Sequence, residues 1–246
     1  MDLYAHLARV YDRIFPVNPT SLALIDALPG SKEQQRRAID LGSATGGHAF
    51  GLAQLGWHVS GVELSDDLLE LSRTKQAGKG PAVEFIKADM RDLGRLFATA
   101  SADLILCLGN TLPHLDNLKE IQDFLVSARD ILRRGGHIVL QVVNFDLAGP
   151  GYLFPTLEES GLRFERSYSS LPDGKIAFDT RLSLGEGRTY SDRTALFPLT
   201  PSLLESALQS AGFSIERKLS SWDGSAFEPA SSLYLIIVGG ISASPA

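Results

Sequence analysis

The 246-residue sequence predicts an α/β fold: a seven-stranded, mainly parallel sheet with helices on both faces and a small antiparallel β insertion. Three observations lead there. Short apolar runs alternate with segments of helical periodicity up to residue 143, the pattern of strand–helix–strand units. The first of these strands runs straight into a glycine-rich turn, Gly42-Ser-Ala-Thr-Gly46-Gly47, and a helix opens behind it. Across residues 147–199 the rhythm changes to two-residue alternation broken by turn residues, the mark of antiparallel strands.

Taken in order, residues 3–15 carry Leu3, Tyr4, Leu7, Val10, Tyr11, Ile14 and Phe15 at helical spacing, and Pro16 ends the run. A second helix at about 21–28 stops at Pro29-Gly30. The first strand, built on Ala38, Ile39 and Leu41, carries Asp40 near its end, and its helix closes at Gly56. The second strand, about 58–62, ends in Glu63; Ser65 caps the next helix, with Asp66 and Asp67 at the positive end of its dipole. A third strand, about 83–88, is followed by Asp89 and Met90, and a fourth spans about 103–108. A long helix at about 118–134 starts with Asn117 and Glu120 at capping-box spacing. Arg133 and Arg134 fall in its last turn and Gly135-Gly136 stop it. The fifth strand is about 137–143. Thr200 and Pro201 open a final helix that closes at Gly212, and strands at about 214–221 and 232–238 complete the sheet.

Inside the insertion, Ile176, Phe178, Thr180, Leu182 and Leu184 alternate strictly. Leu162, Phe164 and Tyr168 suggest a partner strand across Pro172-Asp173-Gly174, and a third strand is expected at about 188–197. Ligands of open α/β sheets bind at the strand carboxyl ends, where this insertion emerges, so a cap over a substrate is expected. Tyr152, Tyr168 and Tyr190 are its first candidates for acceptor contact. The whole of 1–246 is expected to form one domain.

Composition narrows the function classes. Apolar residues are 44% and charged residues 21%, close to the globular average, so a sizeable buried core is expected. Net charge is −6 and the basic residues form no block, Arg36-Arg37 and Arg133-Arg134 being isolated pairs, so no nucleic-acid partner is expected. The single cysteine, Cys107, excludes an internal disulfide and reads as a small buried hydrophobe. The first residues lack a signal-peptide pattern, and the apolar run at 233–238 is too short to span a bilayer. A cytoplasmic protein with no membrane partner is expected. The five histidines have no acid or cysteine companions at metal-ligand spacing.

The chemistry gathers at the strand ends. Glycines let the backbone approach a ligand closely, and the helix N-terminus beyond offers unpaired N–H groups, which is how a nucleotide-like cofactor is held. Glu63 is placed to accept hydrogen bonds from ribose hydroxyls. The spacing Gly42-x-Ala44-x-x-Gly47 also fits a loose dinucleotide fingerprint, so an NAD(P)-dependent oxidoreductase is an alternative. Against it, Asp40 would repel a pyrophosphate but suits a cation, and Asp89 adds a third acid behind a third strand. Singly, each acid is more often a cap or turn residue; in register behind three strands they favour a ligand.

On these residues the sequence resembles the class I S-adenosylmethionine-dependent methyltransferases over roughly residues 36–239, with Ala44 in place of the middle glycine of their turn. The stretch Cys107-Leu-Gly-Asn-Thr-Leu-Pro-His114-Leu, with Asn144-Phe145-Asp146 after the fifth strand, is similar to the glycine N-methyltransferase-like small-molecule group. The resemblance implies a Rossmann-like sheet and S-adenosyl-L-methionine as cofactor. It implies that Gly42, Ala44 and Gly46 turn beneath the methionine part, Glu63 holds ribose, Asp89 meets the adenine amino group and Met90 packs on the ring. It further implies that the Leu108 carbonyl faces the cofactor ammonium, with Asn110 and His114 lining the pocket. Tyr11 and His114 are the catalytic candidates: His114 as a base, since imidazole titrates near neutrality, and Tyr11, with Tyr4, on a lid formed by about 1–15. The implied reaction is methyl transfer to a small-molecule acceptor at nitrogen, with oxygen as the alternative. Members of the glycine group carry an arginine where Val143 stands here, so glycine and sarcosine are expected to be poor acceptors unless Arg166 or Arg193 takes over.

Overall fold

The computed structural model describes residues 3–29, 35–77, 82–185 and 187–241; Gly30, at the expected stop of the second helix, and the Tyr4 side chain lie outside that description. The helices are α1 (Leu3–Ala8), α2 (Tyr11–Ile14), α3 (Pro19–Asp26), α4 (Gly47–Gln54), α5 (Asp66–Gln76), α6 (Leu93–Leu96), α7 (Leu118–Ile131) and α8 (Pro201–Ser210). The strands are β1 (Arg37–Leu41), β2 (His58–Glu63), β3 (Val83–Lys87), β4 (Ala102–Cys107), β5 (Leu132–Val143), β6 (Leu157–Glu159), β7 (Leu162–Ser170), β8 (Ile176–Leu184), β9 (Arg188–Leu196), β10 (Ser214–Leu219) and β11 (Tyr234–Gly240). Single turns of 3₁₀ helix, Met90–Asp92 and Leu112–His114, follow β3 and β4.

β4 shows how the sheet arises from its residues. All six are buried. The two-residue period sends Leu104 and Leu106 to one face and Ile105 and Cys107 to the other. On the first face they meet Ile25 of α3, Ala49 and Leu52 of α4 and Leu69 of α5. On the second they meet Leu93 of α6, Phe124 and Leu125 of α7 and Leu204 and Leu208 of α8. A strand apolar on both faces requires helices on both, and the sheet order β10-β11-β5-β4-β1-β2-β3 supplies them. β5, β4, β1, β2 and β3 run parallel, and β11 and β10 close one edge antiparallel. The chain moves outward from β1 to β3 and then crosses back to β4, so the carboxyl ends of β1 and β4 flank a topological switch point, the usual ligand crevice of such sheets.

Helix termini follow the side-chain signals. Ser65 Oγ accepts from Leu68 N–H at 3.4 Å, and Asn117 Oδ1 accepts from Glu120 N–H at 3.0 Å. Glu120 returns its bond to the Asp116 amide at 3.1 Å, one residue before the cap itself. Thr200, followed by Pro201, caps α8.

Four expectations change. The first helix is two, α1 and α2, interrupted at residues 9–10; Leu7 of α1 and Ile14 of α2 both bury against Phe164 and Leu182 of the insertion, and Ala8 against Ala44 and Leu68. The second helix begins earlier, at Pro19, where Asn18 caps it. The long helix ends at Ile131, and Arg133 and Arg134 belong to β5 instead of its last turn. Arg133 is held there by Asp103, 2.9 Å away, and the two glycines form an irregularity in the β4–β5 ladder. Gly135 has φ +75°, and a Cβ on Gly136 would lie 2.8 Å from the Arg133 carbonyl. The insertion, finally, has four strands, order β6-β7-β8-β9, the short β6 having too few residues to show alternation.

Candidate functional site

The glycine turn is tied to the end of β2 before any ligand is considered. Gly42 N–H and Ser43 N–H both donate to the Val62 carbonyl, at 2.9 and 3.1 Å. Gly42 has φ +67°, and a Cβ there would lie 2.6 Å from Thr111 Cγ2, so glycine lets the β1 and β4 loops close on each other. Gly46, φ +84°, starts α4 with its Cα against the Phe85 ring. Ala44 also has a positive φ, +49°, a conformation that costs a non-glycine residue about 1 kcal/mol or more. Its methyl packs with Ala8, Leu68 and Tyr11, so it joins the turn to the N-terminal helices.

Glu63 lies beside this turn, 8% exposed. Its Oε2 accepts from Ala44 N–H at 2.8 Å and its Oε1 from Ser65 N–H at 2.7 Å, which leaves each oxygen a further acceptor site. Asp40, opposite Gly61 of β2 and Leu106 of β4, is 4% exposed. Burial, reinforced by Glu63 and opposed by the Ala49 amide in the first turn of α4, pushes its carboxyl up to about 7. A buried acid of this kind suits a cation that would neutralise it. Ala88 N–H donates to the Glu63 carbonyl at 3.2 Å and draws the β3 loop alongside. There Asp89 caps the 3₁₀ turn through Arg91 N–H at 2.8 Å, and its other oxygen takes Arg91 Nη1 at 2.9 Å. Arg91 also binds Asp116 and Glu120, at 3.0 and 2.8 Å. These ion pairs are exposed and add little stability, but they aim the Asp89 carboxylate. Met90 is half-buried, and Leu64, directly after Glu63, is 59% exposed. Leu64 escaped the sequence reading; its signal is an apolar residue following a strand-end acid.

The β4 loop is held mostly by itself and by β5. The Leu108 carbonyl accepts from Thr111 N–H (3.3 Å) and Thr111 Oγ1 (2.7 Å). Gly109 N–H donates to Gln141 Oε1 at 3.1 Å and Asn110 N–H to the Gln141 carbonyl at 3.0 Å. Asn110, φ +66°, accepts from Val143 N–H at 2.9 Å and donates to the Tyr168 hydroxyl at 3.2 Å, linking β4, β5 and the insertion. His114 is half-buried, and burial holds its imidazole below the ordinary histidine value, hence neutral. Thr111 and Gln141 were not legible as site residues, because their partners lie on other segments.

The N-terminal helices cross above. Asp12 of α2 accepts from Thr45 Oγ1 at 2.5 Å and pairs with Lys75 of α5. Tyr11 touches Ala44 on one side and packs with Phe15, 5.1 Å between ring centres, on the other. Of the insertion tyrosines, Tyr190 stacks on His6 at 3.7 Å, and Tyr152 packs against Phe154 at 5.0 Å. Tyr168 is 2% exposed, a buried anchor where a surface contact was expected. Two open hollows lie elsewhere: about 500 Å³ at the β6–β7 tip beside Gly161, and about 340 Å³ beside His137 and Glu216 toward the opposite end of β5. Among the described residues no three histidine, cysteine or acidic side chains gather into a metal site, and no helix is long and apolar enough to cross a membrane.

Comparison with known proteins identifies the class of enzyme. Residues 38–136, from β1 into β5, match the family model described as a methyltransferase domain. The structure of the CcbJ methyltransferase from Streptomyces caelestis superposes with a TM-score of 0.81 at 25% identity, covering 97% of this chain and 98% of that one. A glycine/sarcosine N-methyltransferase of Aphanothece halophytica is 23% identical over 185 residues, 72% of this chain and 66% of the relative. A ubiquinone biosynthesis O-methyltransferase of Cupriavidus pinatubonensis is 22% identical over 193 residues, 75% of each. The similarity thus extends well beyond the glycine-methylating group, and the nicotinamide alternative falls. An acid-lined glycine turn at the switch point, a buried acid suited to a cation and these matches together identify the chain as an S-adenosylmethionine-dependent methyltransferase with the class I fold.

Proposed function

We propose that the chain methylates a small-molecule acceptor at nitrogen, with the acceptor held beneath the antiparallel insertion at the carboxyl ends of β4 and β5. The observation that carries this reading is the chemistry of the groups around that space. Tyr168 is kept protonated by burial, the Asn110 side chain is committed to Val143 and Tyr168, and Arg166 is a cation. None of them takes a proton at neutral pH. An alcohol must lose its proton as it attacks, whereas a neutral amine attacks through its lone pair and sheds the proton afterwards. The acceptor amine therefore reacts as its free base.

S-Adenosylmethionine, when bound, supplies a methyl group on a cationic sulfur. On this reading Glu63 takes the ribose hydroxyls, Asp89 the adenine amino group, and Leu64 and Met90 the faces of the ring. Asp40 offsets the cofactor's positive charge, while Gly42, Ala44 and Gly46 lie against its methionine part. Leu108, Asn110 and His114 border the reacting end, and the Leu108 carbonyl is open to an ammonium once Thr111 Oγ1 rotates away. The helices bearing Tyr11 form a lid, and the insertion a cap. Their work is to align the acceptor nitrogen and exclude water.

Glu63→Ala should weaken binding of S-adenosylmethionine and S-adenosylhomocysteine by roughly 1.5–3 kcal/mol, the worth of hydrogen bonds to a charged group. Calorimetry on the folded variant checks this, and an unchanged affinity refutes the assignment. Acceptor chemistry is tested by methyl transfer to matched amines and phenols. Oxygen transfer is favoured by one feature, the neutral His114 imidazole, which could serve as base. His114→Ala should leave amine turnover within about threefold, a far smaller loss than removing a general base causes; turnover confined to phenols and lost in His114→Ala would establish the oxygen reading instead.

A further inference from the structure

Arg166 stands apart from its neighbours on the insertion. Arg163 pairs with Glu158 and Glu165, and Arg193, 64% exposed, pairs with Asp179 at 2.6 Å. Arg166 has no carboxylate partner among the described residues. Its Nε is buried without a hydrogen bond, and its Nη2 has one long contact, 3.4 Å, to the Pro155 carbonyl. The guanidinium lies instead among rings, Phe154 at 5.1 Å, Phe164 at 5.7 Å and Phe15 at 5.8 Å, with the Tyr234 hydroxyl within hydrogen-bonding reach and the Tyr168 phenol nearby. These residues come from the three parts that enclose the strand ends: the segment after α2, the insertion, and the start of β11, where Tyr234 pairs with Val143 of β5.

Arg166 is half-buried, and leaving its buried Nε unmet carries a cost that aromatic faces offset only in part. The partner that completes it most strongly is an anion. The edge formed by Nε and Nη2 has two parallel donors at the spacing of a carboxylate, which would displace the long Pro155 contact on binding. A single cation in an apolar cage matches a monoanion better than a doubly charged phosphate. We propose that Arg166 anchors the acceptor by binding a carboxylate side-on across this edge, with the Tyr168 and Tyr234 hydroxyls beside it. The inference rests on the reading of the space beneath the insertion as the acceptor site, and it names the acceptor class: amino monocarboxylates. Arg166 and Tyr168 are two residues apart on one face of β7, about 7 Å along the strand, and Tyr168 touches Asn110 at the reacting end. The amine and the carboxylate are therefore separated by several bonds, more than glycine provides.

The test uses full-length enzyme saturated with S-adenosylhomocysteine and measures binding of two matched pairs, phenylacetate with phenylacetamide and indole-3-acetate with indole-3-acetamide, by calorimetry or ligand-observed NMR. Wild type should bind each acid at least about tenfold more tightly than its amide, the scale of a charge-assisted bidentate pair. Arg166→Met, which keeps an unbranched stem against the rings, should bind acid and amide alike with S-adenosylhomocysteine affinity unchanged, and Arg166→Lys should recover part of the preference. A merely structural Arg166 would not move the acid-to-amide ratio. Wild type without a preference for the acids, or Arg166→Met retaining it, overturns the proposal. Failure of wild type to bind S-adenosylhomocysteine overturns instead the site reading on which it rests.

Discussion

Asp40 governs how the cofactor end should respond to pH. Its folded pKa, about 7, lies above the ordinary 3.8 because burial and Glu63 both oppose its charge. A raised folded pKa means that the native state holds the proton more tightly than the unfolded chain. The stabilising contribution is therefore complete below the unfolded value and is lost as pH rises through about 7. A bound cation reverses the preference by favouring the carboxylate. Affinity for S-adenosylmethionine should thus climb by up to about tenfold per unit as pH approaches 7 from below, then level off, with proton release on binding. Asp40→Asn should flatten the profile, lower the affinity above pH 7 and raise the melting temperature of the free protein there. Calorimetry in buffers of differing ionisation enthalpy, paired with thermal melts at pH 5 and 8, measures both arms. A pH-independent wild-type affinity would remove Asp40 from the cation's surroundings.

At the scale of elements, α2 is the joint between the glycine turn and the insertion. Asp12 ties it to Thr45 and Lys75, and Ile14, 6% exposed, buries it against Leu162 and Phe164 of β7. Polar and apolar attachments differ in how they yield: a hydrogen-bonded carboxylate can exchange with water, whereas a buried isoleucine cannot. Asp12→Ala removes the polar tie alone. It should leave the fold intact by circular dichroism and speed cofactor release by roughly 5- to 30-fold, the equivalent of one or two hydrogen bonds, measured by stopped-flow displacement. Release at the wild-type rate would assign α2 to packing without a gating role. Removing residues 1–15 strips both attachments and should depress turnover further while the seven-stranded sheet persists, since Leu7 and Ile14 contact the insertion and lie outside its two core clusters.

For the molecule as a whole, stability resides in the sandwich of α4 and α7 about β4. Ile105 and Cys107 are fully buried among Leu93, Ile121, Phe124 and Leu125. Ile105→Ala should cost about 2–5 kcal/mol, the range for large-to-small changes where the surroundings cannot collapse, read from denaturant melts. Burial and the neighbouring Asp40 push the Cys107 thiol well above the usual cysteine range. Only the thiolate reacts, so Cys107 should resist alkylation in the native protein and label only as it unfolds. Rapid labelling under native conditions would show that this strand end opens far more often than its packing allows.

Local chemistry set much of this architecture in advance. Alternation, caps and glycines are properties of neighbouring residues, so β1 to β4, the caps at Ser65, Asn117 and Thr200, and the acid at each of three strand ends were all legible in the chain. The same locality explains the errors. Gly135-Gly136 carries one signal for a helix stop and for a break in a strand ladder, and only the pairing of β5 with β4 selects the second. The run at 3–15 has helical spacing throughout, yet the structure interrupts it at residues 9–10, a break that no local signal marks. Tyr168 and Asn110, 58 positions apart, meet because the insertion folds back over β5. The clearest case is Arg166, one arginine among several until the tertiary structure leaves it with no carboxylate partner among the described residues. Sequence determines which groups are present and what each stretch can form; which polar groups are met and which are left open is decided only when distant segments pack and exclude water between them.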